Sequence, residues 1–183
     1  MALRMQVLCS VLMVTLLGCA VHELPPSSPP LQDAVTVEES QSESVTTFLG
    51  IKQPYPGDAS NNYFLRSVVE KTSGQVAHQL YVANYYRSSA GWIVWSRANG
   101  EDAQSLEFVS IHRGVISCGA DVGCALEEDF GAVIPDPKLR AYQGGFSVKF
   151  YAETGKELVI QLTSQQIQQQ LKAIEDFQAS SKR

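Results

Sequence analysis

From Val45 onward, apolar and polar side chains alternate with period two, and Gly-, Pro- and Asn-containing clusters interrupt the alternation. Val45 to Gly50 reads as a short strand. Gln53-Pro54-Tyr55-Pro56-Gly57-Asp58 follows as a loop. Asn62 to Lys71 puts Asn62, Phe64, Arg66 and Val68 on one face and Tyr63, Leu65 and Val69 on the other. Thr72-Ser73-Gly74 turns the chain into Gln75 to Tyr86, which carries Val76, Leu80 and Val82 on one face, so the two segments predict a hairpin. Further strands are expected over Trp92 to Arg97, over Leu106 to Ser117 with a bend at Gly114, and over Cys124 to Ile134. Ala98 to Ala103 reads as a loop. Phe146 to Ala152 sets Phe146, Val148 and Phe150 against Ser147, Lys149 and Tyr151, and Glu157 to Leu162 is the last strand.

The period changes twice. Asp136-Pro137 has the form of an N-cap and first helical residue, with Gly144 as the stop of a short helix. Thr163 and Gln166 have capping-box spacing, and Ile167, Leu171, Ile174 and Phe177 form one apolar stripe. That stripe must pack on something, and residues after Phe177 are expected to fray. The prediction is a β-rich α+β fold: an antiparallel meander of about seven strands, as a sheet or a partly closed barrel, with the C-terminal helix packed on it.

Residues 45–178 are read as the globular domain and 179–183 as a frayed tail. Residues 19–44 have a different composition. They hold Pro25-Pro26-Ser27-Ser28-Pro29-Pro30 and Glu38-Glu39-Ser40-Gln41-Ser42-Glu43-Ser44, and no Lys or Arg. Such a stretch cannot bury enough apolar surface to offset ordering, so it reads as a disordered linker, with Val35-Thr36-Val37 as a weak edge strand at most. About 25 such residues reach about 80 Å fully extended.

Upstream, Arg4 precedes an apolar run from Met5 to Leu17. At about 13 residues it is too short to cross a bilayer core of about 30 Å, and it fits the apolar region of a secretory signal over residues 1–18. The run closes on Leu16-Leu17-Gly18-Cys19, which resembles the lipobox of bacterial lipoprotein precursors. The resemblance implies cleavage before Cys19, lipid on its sulfur and on the new amino terminus, and an anchor in the membrane. Ala20, where that family uses Asp for inner-membrane retention, implies an outer-membrane anchor facing the periplasm. Two or more acyl chains hold stably where one binds only marginally. The folded part looks like an uncharacterised envelope lipoprotein of Gram-negative bacteria, and the resemblance carries no functional residue beyond Cys19.

Charge narrows the partners. Lys and Arg total 14 against 19 Asp and Glu, and losing Arg4 with the signal takes the net charge of −5 to about −6. Without a basic cluster, nucleic acid is not an expected partner. The expected partners are the membrane, through the lipid on Cys19, and an envelope protein or a cell-wall component. Cys9 leaves with the signal and Cys19 carries lipid, so Cys118 and Cys124 remain to form a disulfide in an oxidising compartment. Their spacing does not suit a redox pair, and a metal site would lack ligands.

No catalytic motif is present: no G-x-S-x-G, Walker A, G-x-G-x-x-G or H-E-x-x-H. No catalytic residue, cofactor or metal is therefore expected. His78 lies in a strand beside Val76 and Leu80, and His112 lies on a strand with Phe108 and Ser110 on its face. A cleft holding either histidine beside a carboxylate and a serine would mark an envelope hydrolase. In Glu127-Glu128-Asp129, alternation turns Glu128 with Leu126 and Phe130, and its neighbours the other way. Tyr81, Tyr85, Trp92 and Trp95, with Tyr86, crowd one segment as core filling or as a candidate recognition surface. An apolar pocket above about 300 Å³ under Trp92 or Trp95 would point to a small-ligand carrier. The reading these features favour is a non-enzymatic envelope module.

Overall fold

The computed structural model describes residues 34–39, 43–55 and 58–181. Cys19, the signal and the Pro-rich half of the linker lie outside the described residues. The described chain runs β1 (Thr36–Glu39), β2 (Val45–Leu49), β3 (Gln53–Tyr55), β4 (Asp58–Glu70), β5 (Val76–Ser88), β6 (Trp95–Gly100), β7 (Ser105–Leu106), β8 (Phe108–Gly119), β9 (Gly123–Ile134), α1 (Asp136–Ala141), β10 (Gly145–Ala152), β11 (Glu157–Thr163) and α2 (Ser164–Ser180). It is the expected β-rich α+β fold. A seven-stranded antiparallel sheet has the order β1-β2-β4-β5-β9-β8, with β3 also paired to β4, and it does not close into a barrel. A second antiparallel sheet has the order β11-β10-β6-β7.

The second sheet exists because the segment expected as one strand from Leu106 to Ser117 changes partners at Glu107. Ser105 and Leu106 pair with β6, whereas Phe108 onward pairs with β9. A strand that switches sheets at a bend is how two sheets share a corner. The expected loop over Ala98 to Ala103 shrinks accordingly. β6 runs to Gly100 because Ala98 is buried and Ala98 to Gly100 pair with Val148 to Phe150 of β10. The turn that remains holds Ala103 in the left-handed region at φ 58°.

Between the sheets lies the main core. Leu65, Leu80, Val82, Phe130, Ala132 and Ile134 come from one sheet, and Trp95, Val148, Phe150, Ile160 and Leu162 from the other. Leu139 of α1 and Ile167 and Leu171 of α2 complete it. Phe130 is the hub: Trp95 stacks on it at 5.1 Å and Phe150 meets it edge-on at 5.0 Å. Each fully buried side chain of this size contributes about 1.5–3 kcal/mol. A smaller cluster of Phe48, Val69 and Ile174, with Phe177 at its margin, lies under the second half of α2.

Both helices depart from their expected ends. Pro135, not Asp136, is the N-cap of α1, and Pro137 occupies its second position. Asp136 is freed from capping because its carboxylate is used elsewhere. At α2 the capping box forms as read: Gln166 N donates to Thr163 Oγ1, and Thr163 N donates to the Gln166 side chain. The helix then continues past Phe177 to Ser180, where Ser180 and Ser181 hydroxyls donate to the Phe177 carbonyl. Upstream, β1 pairs with β2 through Thr36↔Leu49 to Glu39↔Thr46, so the sheet begins before Val45.

Candidate functional site

The chemistry-bearing side chains fall into three places. The first follows from the β4–β5 hairpin, whose register sets Ser67 opposite His78. Ser67 Oγ lies 2.7 Å from His78 Nδ1, and His78 Nε2 lies 2.9 Å from Asp136 Oδ1. Arg140, one helical turn after Asp136, donates to both of its oxygens at 3.0 Å and reaches Glu175 of α2 at 2.8 Å. Gln170 of α2 donates from Nε2 to Ser67 Oγ at 2.9 Å and to the Phe48 carbonyl at 3.1 Å. Burial pushes the His78 imidazole below its ordinary value, against the Asp136 carboxylate, which raises it. Burial raises the Asp136 carboxyl, but hydrogen bonds from His78 and Arg140 hold it below the usual carboxylate range.

Serine, histidine and aspartate in a row suggest a nucleophile and its base, yet this row is closed. Ser67 and the His78 side chain are 0% exposed, and Ser67 Oγ already accepts from Gln170. A nucleophile needs a site about 3 Å away where a reacting carbon can sit, with donors for the oxyanion. Here that space is filled by Gln170 and Phe48. The relay's geometry does the work of tying β4, β5, α1 and α2 together.

The second place is Glu128 on β9, 2% exposed and turned inward as the alternation predicts. Its Oε1 accepts from the Tyr86 hydroxyl at 2.8 Å and from Val94 N at 3.0 Å, and its Oε2 accepts from Trp95 N at 3.3 Å. Tyr86 Oη in turn accepts from Ile93 N at 2.9 Å, and Arg113 Nε lies 3.7 Å from the carboxylate. Three consecutive backbone amides thus converge on one carboxylate and one phenol. They hold Val94 in the left-handed region at φ 59°, a conformation a β-branched residue avoids. Burial and the Glu128 bond push the Tyr86 phenol up to about 12. Glu128 therefore fastens the crossing from the first sheet to the second.

The opposite face of the same strands carries Asp129, Glu127, His112, Tyr81 and Tyr85. Tyr81 donates to Asp129 at 2.6 Å, and burial together with that bond raises its phenol. Its ring stacks on Phe64 at 4.8 Å, and the Arg66 guanidinium lies over the Tyr81 ring at 5.4 Å. A hydrogen bond to Glu127, with burial, pushes Tyr85 up to about 12. His112 is 3.7 Å from Glu127. Its placement corrects the expectation that it shares a face with Phe108 and Ser110. A bulge between Ser110 and His112 inserts Ile111, so Ser110 pairs with Phe130 and His112 with Asp129. One extra residue flips every later side chain. Among the described residues no group of three His, Cys, Asp or Glu is placed to hold a metal ion.

The third place is the far end of the β8–β9 hairpin. Cys118 faces Cys124 in register and the two are joined, with S–S 2.02 Å and Cα atoms 4.0 Å apart. Gly123 closes the turn at φ 70°, where a Cβ would sit 2.6 Å from the Ser88 carbonyl. Around this closed end, Val115, Ile116 and Val122 are 59%, 57% and 61% exposed. A second bulge, between Val115 and Ser117, makes adjacent Val115 and Ile116 both available. An open groove of about 400 Å³ runs beside it, lined by Trp92, Val115, Leu126 and the Cys124 strand, and Arg113 lies over the Trp92 ring at 5.6 Å.

The four aromatic residues considered as a recognition surface thus separate. Trp92 lines this groove, Tyr85 is exposed on the other side of the hairpin beside Ile116, Tyr81 is tied to Asp129, and Trp95 belongs to the core. The exposed aliphatic residues of the hairpin end were missed by the sequence reading. Their signal is Val-Ile just before Ser-Cys, and Val among the five residues between the two cysteines. No known family model, no curated protein and no solved structure matches the chain.

Proposed function

We propose that this chain is a non-enzymatic binding module of the bacterial envelope. It is anchored by lipid on Cys19 in the outer membrane, faces the periplasm, and recognises a protein partner through the disulfide-closed end of the β8–β9 hairpin. The observation that carries this reading is the grouping of Val115, Ile116 and Val122, each more than half exposed, around the Cys118–Cys124 bond. Apolar side chains on both sides of a rigid tip gain most when a groove covers them, and the disulfide lowers the ordering cost of binding. The closed Ser67–His78–Asp136 row supports a role without catalysis, because no substrate atom can approach Ser67. The lipobox supports the anchor.

The test is isolation of the lipidated protein from envelopes beside a Val115→Ser/Ile116→Ser/Val122→Ser variant. One protein partner retained by the native chain and lost from the variant, with equal membrane attachment, is the expected result. An identical set of partners for both would overturn it. The groove under Trp92 favours one second reading, a small apolar ligand held there. That reading expects a bound lipid or fatty acid in the extracted protein, lost on Trp92→Ser.

A further inference from the structure

The buried row has a direction that is fixed from one end. The Phe48 carbonyl can only accept, so the Gln170 amide must present Nε2 to it and to Ser67 Oγ. The Ser67 hydrogen then points to His78 Nδ1. His78 carries its own hydrogen on Nε2 and donates it to Asp136. Every group in the row is satisfied in this one arrangement, except that Gln170 Oε1 is buried without a partner.

We propose that this row is an acid-sensitive latch, in which protonation of His78 uncouples α2 from β2 and β4. A proton can enter only at Nδ1, and the new Nδ1–H points at Ser67 Oγ. The Ser67 hydrogen is then displaced, and Gln170 Oε1, buried without a partner on the same amide that bonds Ser67, can accept it. Turning that oxygen toward Ser67 takes Nε2 away from the Phe48 carbonyl. The Asp136 end does not break, because an imidazolium binds the carboxylate more strongly. The row therefore opens at α2 and holds at α1. Beyond Gln170, α2 rests on Leu171 in the main core, on the small Phe48, Val69 and Ile174 cluster with Phe177, and on the Arg140–Glu175 and Gln178–Gly74 contacts at its surface.

The groups around His78 set the response. Asp136 faces it from α1 and favours the proton, Arg140 of the same helix opposes it, and Glu175 of α2 lies beyond Arg140. From β4 and β9 it meets uncharged Ser67 and, across the register, Ile134, and uncharged Gln170 of α2 lies one hydrogen bond further on, at Ser67. This inference stands apart from the proposed partner and does not rest on it.

Hydrogen exchange of the full chain, read by mass spectrometry between about pH 7.5 and about pH 5 and corrected for intrinsic exchange, tests the latch. In the acid range, amides from Gln170 to Ser180 should exchange at least about tenfold faster relative to those of β10. Asp136→Asn should move the midpoint to lower pH and Arg140→Gln should move it toward neutrality. Both positions are partly exposed, so both variants fold even if His78→Asn, which should remove the response, does not. Protection in α2 that stays flat across the range would overturn the latch. So would acceleration shared equally by β10, or a midpoint that neither variant moves.

Discussion

Replacing Glu128 by Ala tests whether one carboxylate fastens the crossing between the sheets. The side chain accepts from Tyr86 Oη, Val94 N and Trp95 N, all at 3.3 Å or less, and is 2% exposed. Each buried donor left without an acceptor costs about 1–3 kcal/mol. Part of that cost is returned, because releasing Val94 from φ 59° relieves about 1–3 kcal/mol of backbone strain. Half-buried Val94 also regains water. The net expectation is a loss of about 3–5 kcal/mol, the range for breaking a buried charge from its partners. For a domain of this size that lowers Tm by about 6–15 °C. Glu128→Gln keeps one accepting oxygen and turns an NH₂ toward the remaining amide, so it should cost about half as much. Urea unfolding followed by the fluorescence of Trp92 and Trp95 gives both values. A Glu128→Ala protein within about 0.5 kcal/mol of the native chain would refute the reasoning, because that is the ordinary scatter of surface substitutions.

Reducing Cys118–Cys124, which are six residues apart, should cost about 2 kcal/mol by loop-closure entropy and leave the two-sheet core folded; loss of all tertiary signal on reduction would contradict this. Ala103→Gly, in an exposed turn at φ 58°, should stabilise the domain by about 1 kcal/mol, and a lower Tm would count against the strain assigned there. Stability should be complete above about pH 6.5 and fall as pH drops below it. The His78 pKa is depressed in the folded state, so the unfolded chain takes up the proton first. A flat profile between about pH 7 and about pH 5 in Asp-independent denaturation midpoints would remove His78 as the cause. Cys19→Ala should release the protein from membranes, and acyl label persisting in that variant would disprove the anchor.

Local signals carried most of the fold. Phe146, Val148 and Phe150 face the core against Ser147, Lys149 and Tyr151, as strict alternation requires. The Thr163–Gln166 capping box is a four-residue signal and forms where read. What failed were features decided by tertiary partners. The bulge at Ile111 has no residue signature, and it moved His112 to the other face. Glu107 gives no local sign that the chain changes sheets there. α2 extends past Phe177 because Phe177 meets Phe48 edge-on at 5.5 Å, a contact 129 positions away in the chain. The Ser67–His78 pair was half legible: a turn at Thr72-Ser73-Gly74 that pairs Val69 with Val76 also sets Ser67 opposite His78. Gln170 and Asp136 were not, since each arrives from a helix whose docking no short-range pattern specifies. Polar Gln170, fully buried on the face of an otherwise ordinary amphipathic helix, is the clearest case.

The claim that the hairpin end is where this protein meets its partner is tested most directly by photo-crosslinking in intact envelopes. A crosslinking side chain at Val122 is compared with one at Val159, a half-exposed aliphatic position on β11. The account predicts a discrete protein adduct from Val122 that disappears when Val115 and Ile116 are changed to Ser, and none from Val159. No adduct from Val122, or the same adducts from both positions, would contradict it.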